Sequence, residues 1–158
     1  MQRELHLPDA AATRALGVTI GERAFAGAVV LLHGELGAGK TGVAQGIAAG
    51  LGVRGPVQSP TFVLVAEYPD AMIPLRHADL YRIDDPSDVE HSDVPERVGV
   101  DGVWVVEWPE RAPDEVWPHD RLEIRLAAQG QGRRASLRAT GPRHAELLRS
   151  LDLAFGCG

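Results

Sequence analysis

Lys40 is the only lysine in this chain; the other fifteen Lys/Arg positions are all arginine. It closes the run Gly34-Glu35-Leu36-Gly37-Ala38-Gly39-Lys40-Thr41, which matches the phosphate-loop pattern G-x-x-x-x-G-K-[ST]. Glycines let a backbone wrap closely around a phosphate with its N–H groups turned inward. A compact ammonium on a flexible stem reaches β- and γ-phosphate oxygens where a guanidinium fits poorly. The Thr41 hydroxyl is placed to bind Mg²⁺. Glu35 through Gly42 are therefore the candidate triphosphate-binding residues. Lys40 is expected to face solvent when no ligand is bound.

Phosphate binding alone does not hydrolyse anything; acids are needed near the metal. In α/β sheets such acids collect at the C-terminal tips of central strands. Glu107 follows the four apolar residues Val103-Trp104-Val105-Val106, and Asp79 ends His77-Ala78-Asp79. Either could hold Mg²⁺ directly or through water while the other orients the attacking water. Ser59-Pro60-Thr61 is a loop that could offer a hydroxyl in a switch-like role. Trp108 reads either as a core aromatic or as a platform beside the site. His33 reads as packing. His77 and the other histidines lack metal-ligand spacing.

These residues need a scaffold. Ala28–Leu32 is a short apolar run that reads as a buried parallel strand. Thr41–Leu51 carries Val43, Ile47 and Leu51 at helical spacing, with Gly52 as the stop. Strand, glycine loop and helix are the context the motif requires, and the helix N-terminus adds partial positive charge behind a phosphate. Upstream, Pro8–Ala26 reads as a helix weakened by Gly17 and Gly21. Arg54–Pro60 is a loop and Thr61–Tyr68 a strand of β-branched and aromatic residues. Ile73–Asp79 follows as a strand, and a short helix is expected near Asp85-Pro86-Ser87. Leu122, Ile124 and Leu126 alternate with polar residues, Gly130-Gln131-Gly132 turns the chain, and Ala135–Ala139 alternates again, giving a hairpin at the far side of the sheet. Pro142–Leu153 reads as a closing helix. The expected architecture is one α/β domain over 1–158: a P-loop NTPase fold with a single mixed sheet flanked by helices and a C-terminal antiparallel hairpin.

Composition sets outer limits. A chain of 158 residues with 44% hydrophobic content suits one domain with a real core. A net charge of −6 does not draw the surface as a whole to nucleic acid or acidic lipid. Arg133, Arg134 and Arg138 fall close together and read as a solvated strand face. Cys157 is the only cysteine, which fits a reducing compartment. With no apolar run of membrane-spanning length and no signal-like N-terminus, a soluble cytoplasmic protein is expected, with no membrane or DNA partner.

Four pieces together, in order and spacing, resemble the TsaE (YjeE) family of bacterial ATPases for tRNA threonylcarbamoyladenosine biosynthesis. They are His33–Thr41, Ser59-Pro60-Thr61-Phe62, His77-Ala78-Asp79-Leu80-Tyr81-Arg82, and Val106-Glu107-Trp108-Pro109-Glu110-Arg111. The resemblance implies a weak Mg²⁺-dependent ATPase that supports TsaD and TsaB, the proteins that transfer the threonylcarbamoyl group to tRNA; contact with tRNA is then indirect. It also implies that Lys40 and Thr41 contact phosphate and Mg²⁺, that Glu107 belongs to the Mg²⁺ site, and that Asp79 and Thr61 join the cluster. Thr13 and Arg133 are implied to flank the adenine. Two departures stand out: Gly42 replaces a second threonine common in the family, and Val89–Asp101 is short and proline-interrupted.

The alternatives are a small-molecule kinase of the same superfamily and a nucleotide-gated module without significant turnover. A kinase should carry an arginine-rich lid, whereas Arg76, Arg82, Arg97 and Arg111 are scattered. A guanine reader of the Asn-Lys-x-Asp type cannot be written with one lysine, which disfavours a GTPase.

Overall fold

The computed structural model describes residues 1–55, 57 and 65–155. Ser59, Pro60, Thr61 and Cys157 lie outside the described residues.

Among the described residues, seven strands form one sheet. In chain order the elements are β1 (Gln2–Leu7), α1 (Ala10–Arg23), β2 (Val29–Gly34), α2 (Lys40–Gly50), β3 (Val65–Tyr68), β4 (Leu75–Asp79), α3 (Ser87–Glu90), α4 (Val94–Arg97), β5 (Val103–Glu107), β6 (Arg121–Gln129), β7 (Gly132–Thr140) and α5 (Pro142–Phe155). Short 3₁₀ turns at Pro109–Arg111 and Asp114–Val116 lie between β5 and β6. The strand order is β1-β7-β6-β2-β5-β4-β3. The four central strands β6, β2, β5 and β4 run parallel to one another, and the pairings that flank them, β1–β7, β7–β6 and β4–β3, are antiparallel.

A central parallel strand is covered on both faces, so its sequence must be apolar throughout. Val29 to Leu32 and Val103 to Val106 are all at most 1% exposed. Val30, Leu32, Val105 and Ile124 face a core completed by Leu16 and Ile20 of α1, Val43 and Ile47 of α2, and Leu147, Leu148 and Leu151 of α5. On the other face Val29, Leu31, Trp104 and Val106 pack with Val89, Val94 and Trp117.

Helix α1 and helix α2 meet through glycine. A Cβ on Gly17 would lie 2.3 Å from the Val43 carbonyl oxygen, and one on Gly46 would lie 2.3 Å from that of Arg14. Gly21 and Gly50 stand in the same relation to Ile47 and Val18. Gly17 and Gly21, read from sequence as helix-weakening, are thus contact points where two backbones touch. Val43 and Ile47 still fill the core beside this seam.

Three expectations need correction. The first helix runs Ala10–Arg23 and not Pro8–Ala26: the Asp9 carboxylate accepts the Ala12 N–H at 2.8 Å as its N-cap, and Ala24 is already extended. β1 was not anticipated, because four of its six residues are charged or polar; it is fixed by pairing with β7. The β6–β7 hairpin is consequently not at the far edge. β6 lies directly beside the loop strand β2, and β1 forms the edge.

Candidate functional site

Strand alternation decides which side chains share a face. β4 and β5 are parallel with His77 opposite Val105 and Asp79 opposite Glu107. Val105 belongs to the core beneath α1 and α2, so His77, Asp79 and Glu107 lie on that same face, at the strand ends where α2 begins. β2 ends at Gly34, and the glycine loop carries the chain into α2 at Lys40. Gly39 caps the helix in the left-handed region at φ 108°, which only glycine adopts without strain. Gly39 has no side chain with which to cap this N-terminus, which leaves its first N–H groups without an oxygen from the N-cap residue.

Sequence-predicted residues converge here. Leu36, Gly37, Gly39, Lys40, Thr41, Asp79, Glu107 and Trp108 all line one hollow of about 320 Å³, together with Tyr81. The Thr41 hydroxyl donates to Glu107 Oε1 at 3.1 Å, and Glu107 Oε2 lies 2.7 Å from His77 Nε2. Glu107 is 3% exposed. Asp79 is half-buried, and its Oδ1 accepts the Tyr81 backbone N–H at 3.0 Å. Burial raises the Asp79 carboxyl above the usual range; the Tyr81 N–H opposes this and the Glu107 charge adds to it.

Lys40 is not solvent-facing, contrary to expectation: it is 5% exposed. Its ammonium donates to the carbonyls of Gly34 and, at 3.0 Å, Glu35, and sits 4.0 Å from the centroid of the Trp108 ring. Two of the ammonium's three donors are thus taken up by carbonyls of its own loop. Burial lowers its pKa, opposed by the carboxylates of Glu107, Glu110, Asp79 and Glu35. Trp108 is a half-buried platform over the site, and it is the one non-glycine residue at positive φ (59°) among those described. Tyr81 packs against it at 5.1 Å between ring centroids, and the Arg111 guanidinium lies 5.7 Å from its ring.

A second hollow of about 280 Å³ opens on the other side of the loop. It is lined by Asp9, Ala10, Thr13, Gly39, Gly42, Gln131, Gly132 and Arg133, so Thr13 and Arg133 do share a cavity with Gly42. Arg133 is not part of a solvated face. Its guanidinium donates to the carbonyls of Ala38 at 2.9 Å and Gly37 at 3.2 Å, bracing the glycine loop from β7. Arg134 and Arg138 are exposed, as expected of a solvated face. Glu35 and Leu36 are exposed at the loop tip, and Ala38 is buried against the core. Thr61 lies outside the described residues.

His33 does more than pack. Its Nδ1 is 3.0 Å from Glu110 and its Nε2 is 2.9 Å from Glu123, linking the end of β2 to β6 and to the turn after Trp108. Sequence reasoning also missed Tyr81, Asp9, Gln131 and Arg111. Tyr81 could have been found as the second residue after a strand-tip acid; the others depend on which loops the sheet brings together.

Among the described residues, no cluster of three or more His, Cys, Asp or Glu is arranged to hold a metal by itself, and no helix is long and apolar enough to cross a membrane. The oxygen set of Thr41, Glu107 and Asp79 is that of a hard cation, and Mg²⁺ characteristically takes one or two carboxylates and completes its shell with water and substrate phosphates.

The family model described as Threonylcarbamoyl adenosine biosynthesis protein TsaE matches residues 7–136. A protein of Nostoc sp. PCC 7120 named tRNA threonylcarbamoyladenosine biosynthesis protein TsaE is 38% identical over 135 residues, covering 83% of this chain and 82% of its own. The Bacillus subtilis protein of the same name is 37% identical over 141 residues, covering 89% and 87%. The crystal structure of Bacillus subtilis YdiB superposes with a TM-score of 0.79 at 31% identity, covering 98% of this chain and 96% of that one.

Proposed function

The chain belongs to the TsaE family, and from that premise we propose that it is a single-domain P-loop ATPase acting in threonylcarbamoyladenosine modification of tRNA. The observation that carries the ATPase reading is the convergence of Lys40, Thr41, Asp79 and Glu107 on one hollow beside the glycine-capped N-terminus of α2. The name shared by the relatives carries the tRNA reading.

In this reading the loop N–H groups and the α2 N-terminus hold the phosphates. Lys40 leaves the Gly34 and Glu35 carbonyls and the Trp108 face for the β/γ oxygens. Thr41 and Glu107 hold Mg²⁺, which supplies neutralisation of charge developing on the transferred phosphoryl group. Asp79 completes this edge, either at the metal or toward the attacking water. Its raised pKa suits a group that must take up a proton. The adenosine end lies in the second hollow, between Thr13 and Arg133. Thr61 joins as a switch-like hydroxyl.

Turnover by the isolated protein is slow and responds to TsaB and TsaD, because a small open site excludes water poorly and a partner can supply a missing charge. Contact with tRNA runs through that complex, in the cytoplasm. The deciding experiment is complementation. Cells lacking this protein lose threonylcarbamoyladenosine from tRNA; wild type restores it and Lys40→Ala does not. Full modification in the absence of this protein and of any second such ATPase would overturn the assignment.

A further inference from the structure

His77 stands beneath the candidate metal edge without touching the hollow itself. It is 1% exposed, on β4, two residues before Asp79. Its Nε2 meets Glu107 Oε2 at 2.7 Å, while its Nδ1 is buried with no hydrogen-bond partner among the described residues. A carboxylate is an acceptor, so the contact is a bond only if Nε2 carries the proton. The other tautomer would set two acceptors face to face and bury an unpaired N–H as well. In any state that makes this contact a bond, Nε2–H is the donor to Glu107.

Such a residue is costly as packing. An unpaired buried nitrogen has lost its water without replacement, and Val105 directly across the ladder shows that an aliphatic side chain fits this layer. What the imidazole provides in return is orientation. Among the described residues the two oxygens of Glu107 meet different groups: Oε1 takes the Thr41 hydroxyl and Oε2 takes His77. Thr41 and Glu107 both line the hollow, where a cation and its waters compete for the bond between them, whereas His77 is not among the lining residues and its bond to Oε2 is made outside that competition.

We propose that His77 is a positioning residue for the metal site: its Nε2–H fixes the plane of the Glu107 carboxylate so that Oε1 is presented beside Thr41. This rests on the reading of Glu107 and Thr41 as the Mg²⁺ edge. Groups that orient a ligand in this way typically contribute about 10–100-fold to metal affinity.

The test is a titration of Mg²⁺ at fixed ATP, reading nucleotide binding rather than turnover, with each variant first checked by thermal melting. His77→Leu should fold, bind ATP without Mg²⁺ as wild type does, and need roughly tenfold more Mg²⁺ for its affinity to rise. His77→Gln, which can bring an amide N–H near the same point, should stay within about threefold of wild type, on the same scale. In a Glu107→Gln background His77→Leu should add nothing, because the carboxylate that the N–H orients toward the cation is gone. An unmoved titration in His77→Leu, an equal shift in the Leu and Gln variants, or a shift that persists unchanged in Glu107→Gln would each overturn the proposal. If Leu fails to fold, His77→Met is the donor-free variant, and loss of the Mg²⁺ response in a folded His77→Gln still refutes it. A Glu107→Gln protein with an unaltered Mg²⁺ titration would instead remove the metal-site reading beneath it.

Discussion

Lys40 and Trp108 are in direct contact, with the ammonium 4.0 Å from the centre of the indole ring. The two come from different strand ends, one after β2 and one after β5, so the contact ties the glycine loop to the turn that follows Glu107. Because the lysine can serve either the ring or a phosphate, the pair should report nucleotide binding. Addition of ATP should change tryptophan emission. Trp104 and Trp117 are buried in the core cluster that Trp108 packs against, do not line the hollow, and should stay silent. Trp108→Phe should abolish the signal, and Lys40→Ala should both abolish it and weaken nucleotide binding at least tenfold, the loss of a charge-assisted contact worth about 1.5–3 kcal/mol. Isothermal titration and fluorescence on the same samples check both halves.

Glu107→Ala should reduce Mg²⁺-dependent phosphate release far more than Glu110→Ala, measured with the partner proteins present. Glu107 is buried and bonded to Thr41 and His77; Glu110 is exposed and bonded to His33. Equal, small effects would shift the metal role to Asp79.

Much of this was legible from residue types. A lone lysine in a glycine loop, apolar runs ending in acids, and alternation in the hairpin located the loop, β2, α2, β4, β5 and the acids, because each signal is local. The hidden parts depend on pairing between distant segments. β1 has no hydrophobic run of its own and exists because β7 offers an edge. Arg133 looked like surface charge, but β7 is placed so that this side chain reaches the Gly37 and Ala38 carbonyls. The burial of Lys40 follows from carbonyls and a ring that only the folded loop assembles.

Gly46→Ala should be strongly destabilising. The added Cβ would meet the Arg14 backbone oxygen at 2.3 Å, and backbone cannot rotate aside. A cost at or above the upper end of overpacking, about 3 kcal/mol, corresponds to a melting temperature lower by roughly 6–12 °C. Gly42→Ala is the control. Its nearest neighbour is the Thr13 methyl at an ordinary 3.6 Å, so stability should hold or rise by up to about 1 kcal/mol from helix propensity. Differential scanning calorimetry of both variants separates close approach from propensity.

His144 makes stability fall with acid. Its ring is 1% exposed, accepts the Val29 N–H on Nε2 at 2.9 Å, and lies 2.7 Å from Asp120 through Nδ1. Burial lowers its pKa, with Asp120 opposing. The unfolded chain therefore takes up this proton first. The contribution of His144 is intact above its ordinary value of about 6.5 and is lost as pH drops below it. Asp120 follows at lower pH: burial pushes its carboxyl up, but the His144 ring and the backbone N–H groups of His144 and Arg143 outweigh that and hold it down. The melting temperature should decline from pH 7.5 to 5.5, and His144→Gln should show a shallower decline over that interval. An identical slope in the variant would rule out His144 as the source.

The glycine seam between α1 and α2 makes the two helices a caliper. One jaw carries Thr13 at the smaller hollow, and the other carries Lys40 and Thr41 at the larger. Where two helices usually touch through long side chains, rotamer changes let the gap widen or narrow; here backbone meets backbone, and that compliant layer is missing. The distance between the jaws is a fixed length, so a ligand spanning both hollows is selected by its own reach rather than by the protein adjusting to it. Molecules too short to bridge the jaws gain one grip instead of two.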